Sequence, residues 1–142
     1  MSATVWRYLL FGLAGWIGEI LYTGVKDRVK NKSWRLSANT SLWMFPIYSL
    51  IAFLFEPVHN QLVYYPLLFR AVGYMLVFFG VELASGFLLK KLTGDYVWHY
   101  SSRFSLGGYI KLSHAPVWYV TGLLVDTYYG NIVWLSELLA KM

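Results

Sequence analysis

The sequence predicts an all-α polytopic membrane protein, a bundle of four transmembrane helices with a long interfacial loop between helices three and four. Of its 142 residues, 58% are hydrophobic and only 13% are charged, whereas about a quarter of the residues in soluble domains are charged. A helix needs about 20 mostly apolar residues to cross the hydrocarbon. Four segments approach this requirement, at about residues 8–25, 36–55, 71–89 and 112–136. The length accommodates one integral membrane domain over residues 1–142.

Each of the four segments is predicted to be helical, because none alternates apolar and polar residues as a barrel strand would. Span one is interrupted by Glu19, and no small-residue cleavage pattern follows it, so we expect it to remain in the mature protein. Span two carries no charge, but Pro46 should kink it. Spans three and four each contain one acidic residue, Glu82 and Asp126.

The basic residues orient the predicted spans. Two loops carry nine of the twelve Lys and Arg residues: Lys26, Arg28, Lys30, Lys32, Arg35, Lys90, Lys91, Arg103 and Lys111. Because Lys and Arg accumulate in cytoplasmic loops, both termini are predicted on the non-cytoplasmic side, of the cytoplasmic membrane if the protein is bacterial. This placement accounts for the net charge of +5 without nucleic acid. Anionic lipid headgroups are the predicted partners of the first loop, near Lys26, Arg28, Lys30 and Lys32.

The two membrane glutamates are predicted to share a depth. Glu19 lies seven residues before Lys26, and Glu82 lies eight before Lys90, which places them roughly 10 and 12 Å inside the cytoplasmic helix ends. An ionised carboxylate in hydrocarbon costs about 3 kcal/mol, so both should face the bundle interior. A converging pair could hold one proton or one cation; alternatively, each glutamate only fixes helix packing. Asp126 is nearer the outer boundary and is predicted to be interfacial.

Residues 93–114 form a longer and more aromatic connection than a plain loop, which is typical of functional segments. Gly107 and Gly108 allow a sharp turn within it. The three histidines, His59, His99 and His114, lack metal-ligand spacing, so no metal site is predicted. No cofactor-binding or catalytic motif is recognisable either.

Several short motifs occur in a specific order: Gly15–Glu19 (GWIGE), Ser41–Tyr48 (SLWMFPIY), Pro66–Arg70 (PLLFR), Glu82, Gly86–Phe87, Trp98–Ser101 (WHYS) and Phe104–Ile110 (FSLGGYI). In this combination the chain resembles the transmembrane protein 229 family and the related bacterial CmpB-like membrane proteins of the type IV ABC-transporter group. The resemblance implies a small multi-pass membrane protein and transfers no established activity. The chain departs from the family pattern at His99, where aspartate is usual, and at Ser105, where asparagine or aspartate is usual.

The candidate substrate- or proton-binding residues are Glu19, Glu82, Tyr48, Trp43, Tyr100 and Arg70. They favour a transporter, a permease or a permease subunit that binds a proton or a cationic or polar substrate. Four helices enclose little lumen, so a homodimer or a partner membrane subunit is expected. One alternative is an intramembrane enzyme acting on a lipid or isoprenoid, although no nucleophile accompanies the carboxylates. Another is a non-catalytic scaffold or assembly factor.

Overall fold

The computed structural model describes residues Met1–Met142 and is mostly helical, as predicted. The helices are α1 (Ala3–Asn31), α2 (Met44–Ser49), α3 (Ile51–Leu62), α4 (Leu67–Thr93) and α5 (Ala115–Lys141). Between α4 and α5 lie the two short strands β1 (Ser105–Leu106) and β2 (Ile110–Lys111), followed by a 3-10 turn at Leu112–His114.

Two of these helices, α1 with 29 residues and α4 with 27, are long and apolar enough to cross a membrane, judged by length and composition. They contain the first and third predicted spans. The fourth predicted span corresponds to α5, which begins at Ala115 and continues to Lys141. The four-span bundle itself stays a prediction.

The second predicted span differs from the structure. Residues 36–43 are not helical; the helix begins only at Met44, and a turn at Leu50 separates α2 from α3. In this segment the backbone N–H groups of Ser37 and Asn39 bond to side chains of α1 instead of to carbonyls of a helix of their own. The Ser37 N–H donates to Asp27 Oδ2 at 3.1 Å, and the Asn39 N–H donates to Thr23 Oγ1 at 3.2 Å.

The chain forms two compact units. Unit 1 comprises Met1–Ala52 and Leu135–Met142, and unit 2 comprises Phe53–Trp134. In unit 1, α2 packs on α1, where a Cβ added at Gly12 would overlap the Ser49 side chain and one at Gly15 would overlap the Tyr48 side chain. The small residues therefore let α2 approach the backbone of α1 closely.

The core of unit 2 is aromatic. Tyr74 and Phe55 are almost fully buried, and their ring centroids are 4.5 Å apart. Gly122 of α5 lies against Tyr74 of α4, where a Cβ would stand 3.0 Å from the Tyr74 Cβ. This packing brings the polar residues of α4 and α5 close together inside unit 2.

The predicted sharp turn is present between β1 and β2. Gly107 and Gly108 have φ angles of +59° and +78°, in the left-handed region that glycine adopts without steric cost. The two strands pair antiparallel, with Ser105 opposite Lys111. The Trp98 indole N–H donates to the Tyr109 carbonyl at 2.9 Å, and both rings lie against Gly86, so the hairpin is held on α4.

Candidate functional site

Glu82 is a buried carboxylate on α4, with 8% of the residue exposed. The Tyr100 hydroxyl donates to Oε1 at 2.8 Å, and the Trp118 indole N–H donates to Oε2 at 3.2 Å. We call Glu82, Tyr100 and Trp118 the Glu82 site. Hydrogen bonds to an ionised acceptor are stronger than those between neutral groups, so this arrangement stabilises a negative charge inside unit 2.

The two donors reach Glu82 from different parts of unit 2. Tyr100 lies in the segment between α4 and β1, and its N–H donates to the Gly108 carbonyl at 2.9 Å, which fixes it to the hairpin. Trp118 lies in the first turns of α5, with its ring centroid 5.5 Å from that of Phe78 on α4. The packing of the hairpin and of α5 on α4 therefore sets the geometry of the carboxylate.

Glu19 is half-buried on α1 in unit 1. The Thr40 hydroxyl donates to Glu19 Oε2 at 2.7 Å, and Tyr48 also forms a side-chain hydrogen bond with this carboxylate. Gly15, one turn before Glu19, leaves the space that the Tyr48 ring occupies. Of the sequence-predicted residues, Tyr48 and Glu19 are therefore brought together in unit 1.

The other predicted residues lie at separate places. Trp43 precedes α2 in unit 1, is 46% exposed, and donates its backbone N–H to Ser41 Oγ. Tyr100 joins Glu82 in unit 2, whereas Arg70 belongs to a different cluster on the same helix. Because Glu19 and Glu82 belong to different units, their convergence stays a prediction.

Arg70 is part of a charged cluster that we call the Asp126 cluster: His59, Arg70, Tyr74 and Asp126. Arg70 Nη2 lies 2.7 Å from Asp126 Oδ2, and the Tyr74 hydroxyl donates to Asp126 Oδ1 at 2.6 Å. His59 Nδ1 lies 2.9 Å from Asp126 Oδ1 and 3.0 Å from the Tyr74 oxygen. The Tyr74 hydroxyl donates its hydrogen to Asp126, so the Tyr74 oxygen and Asp126 Oδ1 both act as acceptors toward His59. Nδ1 of His59 therefore carries the hydrogen.

Four residues of these clusters, Thr40, His59, Tyr74 and Trp118, are not among the residues predicted from sequence, and Asp126 was predicted to be interfacial. In the structure only 4% of the Asp126 side chain is exposed. The sequence contains a signal for the Arg70–Asp126 pair. The two residues carry opposite charges in or beside apolar segments, and such residues commonly pair with each other. Thr40 and Trp118 gave no comparable signal.

An open pocket of about 350 Å³ lies beside the hairpin, and it is lined by His99, Tyr100, Ser101, Ser102 and Lys111. We call it the hairpin pocket. A Cβ at Gly108 would stand 2.6 Å from the His99 ring, so the imidazole lies directly on the turn. Tyr96 contacts the same ring edge-on, with the centroids 4.6 Å apart. A hydrogen bond with Lys90 lowers the pKa of the Tyr96 phenol.

No solved structure matches this chain. Residues 6–141 match the family described as "Putative ABC-transporter type IV", which supports the CmpB-like part of the resemblance; the link to the transmembrane protein 229 family stays an expectation. The family, together with the two apolar helices α1 and α4, indicates association with a membrane. The match covers nearly the whole chain, and the protein therefore belongs to this CmpB family of ABC-transporter-related membrane proteins.

Proposed function

We propose that this protein is a small multi-pass transporter, or a permease subunit, that uses the Glu82 carboxylate to bind a proton or a cationic or polar substrate. The observation that supports this is the burial of Glu82 in a helix long and apolar enough to cross a membrane, with a neutral donor on each carboxylate oxygen. Ionisable residues at such positions are costly and commonly mark ion or substrate pathways.

The Tyr100 hydroxyl and the Trp118 N–H stabilise the ionised form of Glu82 by hydrogen bonding. A proton or a cation that reaches Glu82 would neutralise the carboxylate, and the two donors would stabilise the ionised carboxylate again when that proton or cation leaves. Glu19, bonded to Thr40 and Tyr48, is the proposed second carboxylate of the transporter.

The test is proton flux into liposomes that contain the purified protein and a trapped pH-sensitive dye. A potassium gradient with valinomycin supplies the driving voltage. We expect wild-type liposomes to acidify faster than empty ones, and Glu82→Gln to reduce this difference at least tenfold, because the amide keeps the shape of the side chain but cannot exchange a proton. Glu19→Gln is measured in parallel.

Glu137→Gln is the matched control, because Glu137 is about half exposed and pairs with Arg7 in unit 1. It removes the same charge and should leave the flux unchanged. Size-exclusion profiles and thermal unfolding establish that each variant is folded. Equal flux in wild type and Glu82→Gln would reject the proposed role.

One observation favours the scaffold alternative. Both Glu82 oxygens already have donors, as they would if the glutamate only tied the hairpin and α5 to α4. In that case Glu82→Gln lowers the unfolding temperature, and wild-type liposomes show no more flux than empty ones. The same set of measurements therefore separates the two functions.

A further inference from the structure

The hairpin pocket is rich in hydrogen-bond donors. All five residues that line it have polar side chains, and Lys111 adds a full positive charge. Hydroxyl and imidazole groups can donate to an anion, and an ammonium group donates three hydrogens. The Tyr100 hydroxyl already donates to Glu82, which leaves the other four lining residues for a ligand.

One lining residue has an unmet hydrogen bond. The Ser102 Oγ atom is buried and makes no hydrogen bond within the protein, whereas buried side-chain polar atoms normally have a partner. The Ser102 carbonyl, by contrast, has a hydrogen-bond partner, because it accepts from the Ser105 hydroxyl at 2.8 Å. Ser102 lines the pocket, so rotation about its Cα–Cβ bond would bring this hydroxyl to an acceptor of an oxygen-rich ligand bound there.

The charge of the surrounding segment favours an anionic ligand. Residues 90–114 contain four basic residues, Lys90, Lys91, Arg103 and Lys111, against a single acidic one, Asp95. Position 99, which lines the pocket, carries an imidazole. The lining of the pocket therefore holds one ammonium group, one imidazole and two serine hydroxyls, and no carboxylate.

We propose that the hairpin pocket binds the phosphate group of a phosphate ester, with Lys111 as its cation and with Ser101, Ser102 and His99 as donors. A phosphate has several strong acceptor oxygens that match this set. At about 350 Å³, the pocket also has room for the glycerol or sugar part of the ester. The source is either the headgroup of an anionic phospholipid, since the pocket lies in the segment that directly follows α4, or a soluble phosphate ester. The proposal does not depend on the role of Glu82.

The test uses the full chain in detergent and native mass spectrometry, with dihexanoyl phosphatidic acid and glycerol 3-phosphate as probes. We expect wild type to bind one molecule of at least one probe, and Lys111→Ala to weaken binding about tenfold, as the loss of a charged hydrogen-bond donor would. Lys91→Ala is the control, because it removes the same charge from the last turn of α4, outside the pocket lining. It should change the affinity less than about twofold, as expected for a surface charge.

A second variant keeps the test valid if Lys111→Ala disturbs the hairpin. His99→Asp places a carboxylate in the pocket and should abolish binding while the far-ultraviolet circular dichroism stays unchanged. Tighter binding of phosphatidic acid identifies a lipid headgroup, and tighter binding of glycerol 3-phosphate identifies a soluble ester. The proposal is overturned if wild type binds neither probe, if Lys91→Ala loses as much affinity as Lys111→Ala, or if folded His99→Asp binds as wild type does.

Discussion

At the scale of single residues, the Asp126 carboxylate shows how unit 2 accommodates a buried charge. It accepts from the Arg70 guanidinium and the Tyr74 hydroxyl, while 4% of its side chain is exposed. A buried ion is tolerated only when an opposite charge and hydrogen bonds compensate for the lost water. Removing Asp126 would therefore leave the Arg70 charge, which is 17% exposed, without its counter-charge.

We expect Asp126→Asn to lower the free energy of unfolding by about 3 kcal/mol, because breaking a buried ion pair leaves one charge uncompensated. Denaturant unfolding of the detergent-solubilised protein measures this loss. Thr127→Ala is the neighbouring control, since Thr127 is exposed and bonds only within α5; it should cost less than about 0.5 kcal/mol. The double variant Arg70→Leu with Asp126→Leu should recover part of the loss. Equal costs for Asp126→Asn and Thr127→Ala would contradict this account.

The sequence identified Glu82, Tyr100 and Arg70 as candidate residues, but it could not identify their partners. Arg70 and Asp126 are 56 residues apart, and Glu82 and Trp118 are 36 residues apart. Such pairs form only when α4 and α5 pack in one particular rotation, and the spacing within each helix does not specify that rotation. Hydropathy therefore revealed which charges are unusual, whereas the tertiary packing decides how each one is compensated.

At the scale of helices and strands, apolar length alone was enough to predict α1 and α4. It failed for residues 36–43, because the backbone N–H groups of Ser37 and Asn39 bond to side chains of α1 and the helix starts only at Met44. Gly12 and Gly15 of α1 are where α2 comes close. Small residues permit such a close approach, but they do not specify which helix packs there.

We expect Gly15→Ala to lower the free energy of unfolding by about 1–3 kcal/mol, as overpacked positions do, because the new methyl group would overlap the Tyr48 ring. Gly18 provides a control on the same helix, since nothing lies within 4 Å of a Cβ there. Gly18→Ala should be neutral or stabilising by up to about 1 kcal/mol. Thermal unfolding of both variants measures the difference, and a Gly15→Ala protein as stable as Gly18→Ala would show that α2 moves away without cost.

At the scale of the whole molecule, the predicted topology depends on the basic loops. Lys and Arg concentrate in the two loops that a four-span arrangement places on one side, so both termini should be outside the cytoplasm. The chain has no cysteine, so single introduced cysteines report on sidedness without background. Suitable positions are exposed in the structure: Ser2, Ser37, Tyr64 and Met142.

We expect a membrane-impermeant maleimide to label Ser2→Cys, Tyr64→Cys and Met142→Cys in intact cells, and Ser37→Cys only after the membrane is permeabilised. The substitutions leave every Lys and Arg in place, so they do not alter the charges that set the orientation. Labelling of Ser37→Cys alone would mean that the orientation is inverted. If Ser37→Cys and Tyr64→Cys were accessible from the same side, α2 and α3 could not carry the chain across the membrane. In that case the protein would cross fewer than four times, and the depth shared by Glu19 and Glu82 would no longer follow from their spacing.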